Sequence, residues 1–317
     1  MQQVLKLSLV VPVYQNEGSI NELIEAVRGI NECVRGGFEV IFVVDGSPDG
    51  SYSMLRAQLP AAEFQSQLIS LSRNFGAFHA IRVGLEKARG QTIAVMAADL
   101  QEPPDLVMRF QEAMAGGQYD VAFGVRESRA DPMLGRMSSD LFWFLYRRFV
   151  IREIPSGGVD VFAVTSQFRD RLISLQESNS SLLAQMFWLG GRRVFVGYVR
   201  LARRHGRSSW TLRKKFRYLS DSVFAFTDLP VRLLFALGVI AMLVAAALAM
   251  VTLVARFTGA IAVPGYTGTM LTIIFFGGLN SLGLGVVGTY AWRAFENTKR
   301  RPLALIQSCE VFEAKTQ

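Results

Sequence analysis

Cysteine is almost absent from this chain of 317 residues: Cys33 and Cys309 are the only two, in no spacing that suits a disulfide or a metal site. Neither thiol is expected to carry function. No Gly-x-Gly-x-x-Gly or Walker-type loop follows any predicted strand, which counts against a dinucleotide oxidoreductase or an ATPase. No signal peptide is expected, because the apolar run from Leu7 to Val13 is too short and reads as a strand. Charge is missing over the 23 residues from Leu233 to Ala255 and the 27 from Tyr266 to Trp292. At about 1.5 Å per residue, each is long enough to cross a hydrocarbon core of about 30 Å.

Two transmembrane helices, 233–255 and 266–292, are therefore predicted, joined by a tight loop. Arg232 precedes the pair and Lys299-Arg300-Arg301 follows it, against one Arg256 in the loop. Positive-inside bias puts both flanks, and so the N-terminal part and the tail 293–317, in the cytoplasm of an inner-membrane protein. The net charge of +8 is concentrated between Arg192 and Arg217, where ten basic residues meet no acidic one. Trp210, Phe216, Tyr218, Phe224 and Phe226 interleave with this run or follow it. Its place beside a membrane span favours anionic lipid over nucleic acid as partner. Ala241, Ala245 and Ala249, and Gly277, Ser281 and Gly285, form small-residue faces that suit packing within the hairpin or into a homo-oligomer.

Ahead of the hairpin, short β-branched runs alternate with helical stretches. Strands are predicted at Val4 to Val13, Glu39 to Val44, Leu68 to Leu71, Thr92 to Met96 and Val121 to Val125. Between them, Ser19-Ile20-Asn21-Glu22 reads as a capping box opening a helix to about Val34. Ala77 to Ala88 reads as a helix stopped by Gly90, and Asp105 to Ala115 as another. The pattern implies an α/β fold with a mainly parallel sheet and helices on both faces. A helix over Met133 to Ile151, rich in aromatics and flanked by arginines, suits either a buried position or the membrane interface; the hairpin favours the interface.

Polar groups at the strand ends carry the chemistry. Asp99 and Gln101 follow a buried strand, where open α/β sheets bind ligands, and offer the hard oxygens that Mg²⁺ or Mn²⁺ prefers. Asp45-Gly46-Ser47 offers an acceptor for a base or ribose and a glycine that lets the backbone approach a ligand. Together they describe a nucleotide-diphosphate site. Arg126, Arg129 and Arg136 lie between that site and the aromatic helix, where a lipid phosphate would be presented.

Several motifs occur in a recognisable order: Pro12-Val13-Tyr14 with Asn16-Glu17, Val44-Asp45-Gly46-Ser47 with Asp49-Gly50, Arg73-Asn74-Phe75-Gly76, and Ala98-Asp99-Leu100-Gln101 with Pro103-Pro104. Gly124-Val125-Arg126, Arg136 with Ser139, Gly158 with Asp160, and His205-Gly206-Arg207-Ser208-Ser209-Trp210 complete the set. In these the chain resembles the polyprenyl-phosphate glycosyltransferases of glycosyltransferase family 2. The resemblance implies a GT-A domain over 1–200, a basic juxtamembrane segment over 201–232 and the hairpin over 233–292. It implies inverting transfer of a sugar, from a UDP-hexose for preference, to polyprenyl phosphate for cell-envelope glycans. By the same match Asp45 contacts the nucleoside, Asp99 and Gln101 the metal and diphosphate, and Arg126, Arg136 and Ser139 the phosphates. Pro12, Tyr14, Glu17, Ser47, Asp160, Arg204, His205, Ser208 and Trp210 complete the substrate-binding set.

Two positions depart from the family pattern. Val44 and Ala97 stand where it has aspartates, and Ala97 removes an expected metal ligand. They motivate an alternative: a weakened transferase that binds nucleotide or serves as a scaffold. A platform protein and a processive synthase are further readings; the retained polar residues oppose the first and the small number of membrane helices the second. A lipid phosphate is mostly ionised at neutral pH, so no side chain need deprotonate it, and His79 and His205 are expected in structural or hydrogen-bonding roles.

Overall fold

A computed structural model of the chain describes residues 5–34, 37–128, 143–155, 158–201, 212–258 and 265–314. They divide into two compact units, one running to Leu219 and resuming at Arg301, the other spanning Ser220–Arg300.

The first unit is built on one sheet. Its strands are β1 (Leu7–Val13), β2 (Phe38–Val44), β3 (Gln65–Leu71), β4 (Thr92–Val95), β5 (Val121–Ser128), β6 (Val159–Thr165), β7 (Arg193–Val199) and β8 (Ile306–Phe312). They lie in the order β7-β5-β6-β4-β1-β2-β3-β8. Pairs β1/β2, β1/β4, β2/β3 and β5/β7 are parallel, whereas β6 is antiparallel to both β4 and β5, and β8 to β3. Because β6 reverses direction twice over, β5 and β7 point the same way as β1 to β4. The carboxyl ends of six strands therefore share one edge.

The central strands are apolar on both faces, as a sheet covered on both sides requires. In β1, Leu7, Leu9, Val11 and Val13 enter one core and Val10 the other. The first core is closed by α1 (Ile20–Val34), α2 (Ser51–Gln58) and α4 (Asp105–Ala115). The second is closed by α3 (Ala77–Lys87), a helix over 143–149 (α5), α6 (Ser166–Ser174) and α7 (Leu182–Trp188). Glu39 is 0 % exposed inside β2, and its charge is met by Arg89 at 2.7 Å and by the Ser8 hydroxyl at 2.7 Å. Ser19, read as a capping-box residue, donates its hydroxyl to the carbonyls of Asn16 and Ala98.

Several expectations are corrected. Gly90 does not terminate α3, which ends at Lys87 with Ala88 as its cap. A Cβ on Gly90 would meet the Ser8 main-chain nitrogen at 2.6 Å, so the glycine permits the approach of β1. Strands β6, β7 and β8 lie outside the predicted set, and β8 makes part of the expected tail the edge strand of the sheet. In α5, Tyr146 is fully buried and stacks at 5.7 Å on Tyr218 of α8 (Leu212–Phe226), while Phe144 and Phe149 face outward. That helix is thus half core; residues 133–142 of the expected aromatic helix lie outside the described residues.

In the second unit, α9 (Leu229–Phe257) and α10 (Tyr266–Thr298) are the two helices expected from the uncharged stretches. Large apolar side chains on both, among them Phe235, Leu243, Val251, Phe257, Ile273 and Leu284, are exposed. Among the described residues no single helix is long and apolar enough to cross a membrane. One bent pair, Tyr218–Phe226 and Leu229–Ala241 at 77°, has that length and composition. Near the start of this unit Asp221 accepts from Arg293 at 2.7 Å, and Phe224 meets Tyr290 edge-on.

Candidate active site

The order β4-β1-β2-β3 makes the gap between β1 and β4 the switch point of the sheet, where open α/β sheets bind ligands. On the β1 side, Pro12 sits in the strand opposite Val43 and half-exposed Tyr14 just beyond its end. Main-chain N–H groups of Gln15, Asn16 and Glu17 donate to Ser47 Oγ (2.7 Å), Ser51 Oγ (3.1 Å) and Asp49 Oδ2 (3.1 Å). Glu17 returns the contact by accepting the Gly50 N–H at 3.0 Å. Glu17 and Ser47, expected at the substrate, are thus engaged in binding the β1 loop to the β2 loop. Burial works against the Asp49 carboxylate, but hydrogen bonds from Ser47, Ser51 and main-chain N–H groups hold it below the ordinary aspartate range.

Asp45 is 2 % exposed, and its two oxygens accept the N–H groups of Phe75 (2.7 Å) and Gly76 (2.8 Å). It holds the 73–76 turn at the start of α3. Burial raises its pKa above the ordinary value, against the opposing pull of those two hydrogen bonds, His79 and Arg73. His79 is pushed down by burial, against its hydrogen bond to the Phe75 carbonyl and the Asp45 charge. Gly46 has φ +56°, and a Cβ there would fall 2.3 Å from the Arg73 carbonyl carbon. The expected freedom for a ligand to approach Gly46 is thus used by the chain itself.

Asp99 follows β4 in a turn where Leu100 takes φ +51°, a conformation that costs a β-carbon-bearing residue of order 1 kcal/mol or more. Asp99 is half-buried, whereas Glu102 is 3 % exposed. Gln101, expected as a metal ligand, has another use. Its Oε1 accepts from Arg200 Nη2 at 2.6 Å, and its main-chain carbonyl accepts the Leu201 N–H at 2.8 Å. Arg200 lies just past β7, and sequence reasoning missed it because β7 itself was not predicted. Arg126 is on β5 opposite Tyr198 of β7, at the same edge. Asp160 lies in β6; Arg136, Ser139, Arg204, His205, Ser208 and Trp210 lie outside the described residues.

This donor set does not fit a divalent ion held by the protein. Ala97 offers no ligand, and the Gln101 oxygen faces a guanidinium whose repulsion of a second cation is roughly 4 kcal/mol per unit charge at 4 Å near a protein surface. Among the described residues no group of three or more His, Cys, Asp or Glu is arranged to hold a metal.

An α/β sheet that gathers acidic and arginine side chains at its switch point suits an enzyme handling a phosphorylated donor, and the likeness to known proteins makes that class glycosyl transfer. Residues 8–173 match "Glycosyl transferase family 2", and the chain belongs to that family. It is 28% identical over 305 residues to the bactoprenol glucosyl transferase of Shigella phage SfX, covering 96% of this chain and 99% of that one. To the glycosyltransferase YkcC of Bacillus subtilis it is 28% identical over 316 residues, 99% and 97% of the two chains. The mannosyltransferase PcManGT of Pyrobaculum calidifontis, solved with GDP-Man and Mn²⁺, overlaps 90% of this chain and 88% of its own at 16% identity and a TM-score of 0.46.

Proposed function

We propose that the protein transfers a sugar, with inversion, from a nucleotide-diphosphate sugar to polyprenyl phosphate at the cytoplasmic face of the inner membrane. The observation that carries this reading is the apolar hairpin α9–α10, with its large side chains uncovered, in a chain of glycosyltransferase family 2. An exposed apolar surface of this extent needs an apolar partner, and lipid is the one such helices match. The hydroxyls of Thr258, Thr272, Ser281 and Thr289 donate to carbonyls four residues earlier, which suits a hydrocarbon setting. Both ends of the hairpin lead into the unit that carries the sheet, since β8 follows α10 and pairs with β3, which supports an even number of crossings. The full-length likeness to bactoprenol glucosyl transferases supports a lipid-phosphate acceptor and a hexose donor; that the hexose is carried on UDP is the reading favoured from the family resemblance.

In the reaction an oxygen of the lipid phosphate attacks the anomeric carbon, and the bond from that carbon to the diphosphate breaks. The electron pair leaves with the nucleoside diphosphate. No general base is needed, since a phosphate monoester with a second pKa of about 6 is already largely dianionic. The protein must align two anions and stabilise the charge that grows on the leaving group. Arg126 and Arg136 are assigned to the acceptor phosphate and Asp99 to the donor side.

Membranes carrying the protein, given a panel of radiolabelled nucleotide sugars and undecaprenyl phosphate, should move label into an organic-extractable, phosphate-linked product. Asp99→Asn should lower that rate about a hundredfold or more, the scale of losing one preorganised charged group. Nucleotide binding without transfer for any sugar would favour the scaffold reading that Ala97 and Val44 motivate.

A further inference from the structure

The loop after β4 keeps the carboxylates of Asp99 and Glu102 but has none at position 97, and a guanidinium reaches it from the end of β7. Ala97 has no donor atom, Glu102 is buried, and the Gln101 oxygen is occupied by Arg200 at 2.6 Å. Arg200 is held on two sides: it directly follows Val199, the last residue of β7 paired with β5, and the Leu201 N–H to Gln101 carbonyl bond ties the next residue to the same loop. Its Nε is buried and makes no hydrogen bond among the described residues. A guanidinium carries five N–H donors in a planar fork, so the Gln101 contact anchors it without exhausting it. An orphaned buried donor on a fixed cation, at the edge where six strands end, calls for an anion.

We infer that Arg200 binds the donor diphosphate and supplies the positive charge that meets the leaving group, so that nucleotide binding does not depend on a divalent cation. This rests on the transferase reading above. As the bond from the anomeric carbon to the diphosphate oxygen breaks, the electron pair stays on that oxygen and the guanidinium donates to it. The new bond forms to the acceptor phosphate, and no proton donor, oxidant or reductant is required. Gln101 is the positioning residue, since its amide oxygen sets where the fork points.

Calorimetry of UDP and GDP binding to the full-length protein in nanodiscs, with EDTA or with Mn²⁺, tests this. For the nucleotide that binds, wild-type affinity should differ less than about threefold between the two conditions. Arg200→Ala should weaken it at least about tenfold in EDTA, as expected for losing a hydrogen-bonded charge, with Arg200→Lys recovering part. Gln101→Glu, which neutralises the guanidinium without deleting it, should weaken binding in the same direction and guards against a misfolded Arg200→Ala. Ala97→Asp should make binding respond to Mn²⁺. A wild-type affinity that falls tenfold or more on chelation, or an Arg200→Ala protein of unchanged melting temperature and affinity, overturns the inference while leaving the transferase reading intact. No binding of either nucleotide in any condition overturns both.

Discussion

Asp45 shows how a motif residue is recruited by its own chain. Its buried carboxylate accepts the N–H groups of both Phe75 and Gly76. Asp45→Ala leaves two donors without it and should destabilise the fold by roughly 3 kcal/mol, read as a lower denaturation midpoint. The neighbouring His79 makes stability pH-dependent. Burial lowers its folded pKa, so the unfolded chain takes up the proton first. Stability from this residue is complete above the unfolded value of about 6.5 and is lost as the pH falls from there toward the folded value. Asp45 has the opposite sign, because its folded pKa is raised and its contribution fades as the pH rises from the ordinary aspartate value. Comparing melting temperatures of wild type and His79→Gln at pH 5.5 and 7.5 isolates the histidine. The variant should lose part of the acid-side drop, and an unchanged pH difference would count against the assignment.

At the scale of elements, the seating of α3 on β1 is decided by one atom's width. A Cβ on Gly84 would lie 2.3 Å from Val10 Cγ1, and Val10 is fully buried. Gly84→Val should therefore force the helix off the sheet and cost about 1–3 kcal/mol or more, despite the better helix propensity of most residues than glycine. Thermal denaturation measures it, and a rise in stability would show that the packing is looser than this. The opposite edge is finished by β8, which Tyr52 and Arg56 of α2 grip through Glu310. A free β3 edge would invite pairing with another chain; the returning C-terminal segment covers it.

For the whole molecule, the hairpin faces of small residues suit self-association or close packing of α9 on α10. Replacing Ser281 and Gly285 together by Leu should lower thermal stability or shift the particle to a smaller size in mild detergent. Unchanged size and unchanged melting would remove these faces from assembly. The Ser281 hydroxyl is satisfied within its own helix, so its loss leaves no stranded carbonyl beyond what the helix already pairs.

The local features of this protein were legible in its sequence because they depend on neighbours in the chain. Alternation of β-branched runs with amphipathic stretches gave β1 to β5 and α1, α3 and α4. Missing charge gave α9 and α10 as helices, and Asp99 was found because a strand must end where its polar residue begins. What only the tertiary structure decided depends on partners far apart. Arg200 and Gln101 are 99 residues apart, and Asp45 and Gly76 are 31 apart. Strands β7 and β8 take their places at the two edges, and β6 is inserted antiparallel between β4 and β5, because such pairing, weak in any local pattern, becomes favourable once neighbouring strands exist. The sequence thus supplied the chemical groups, while their division between binding one another and meeting a ligand was settled by which strand ends the folded sheet brings to one edge.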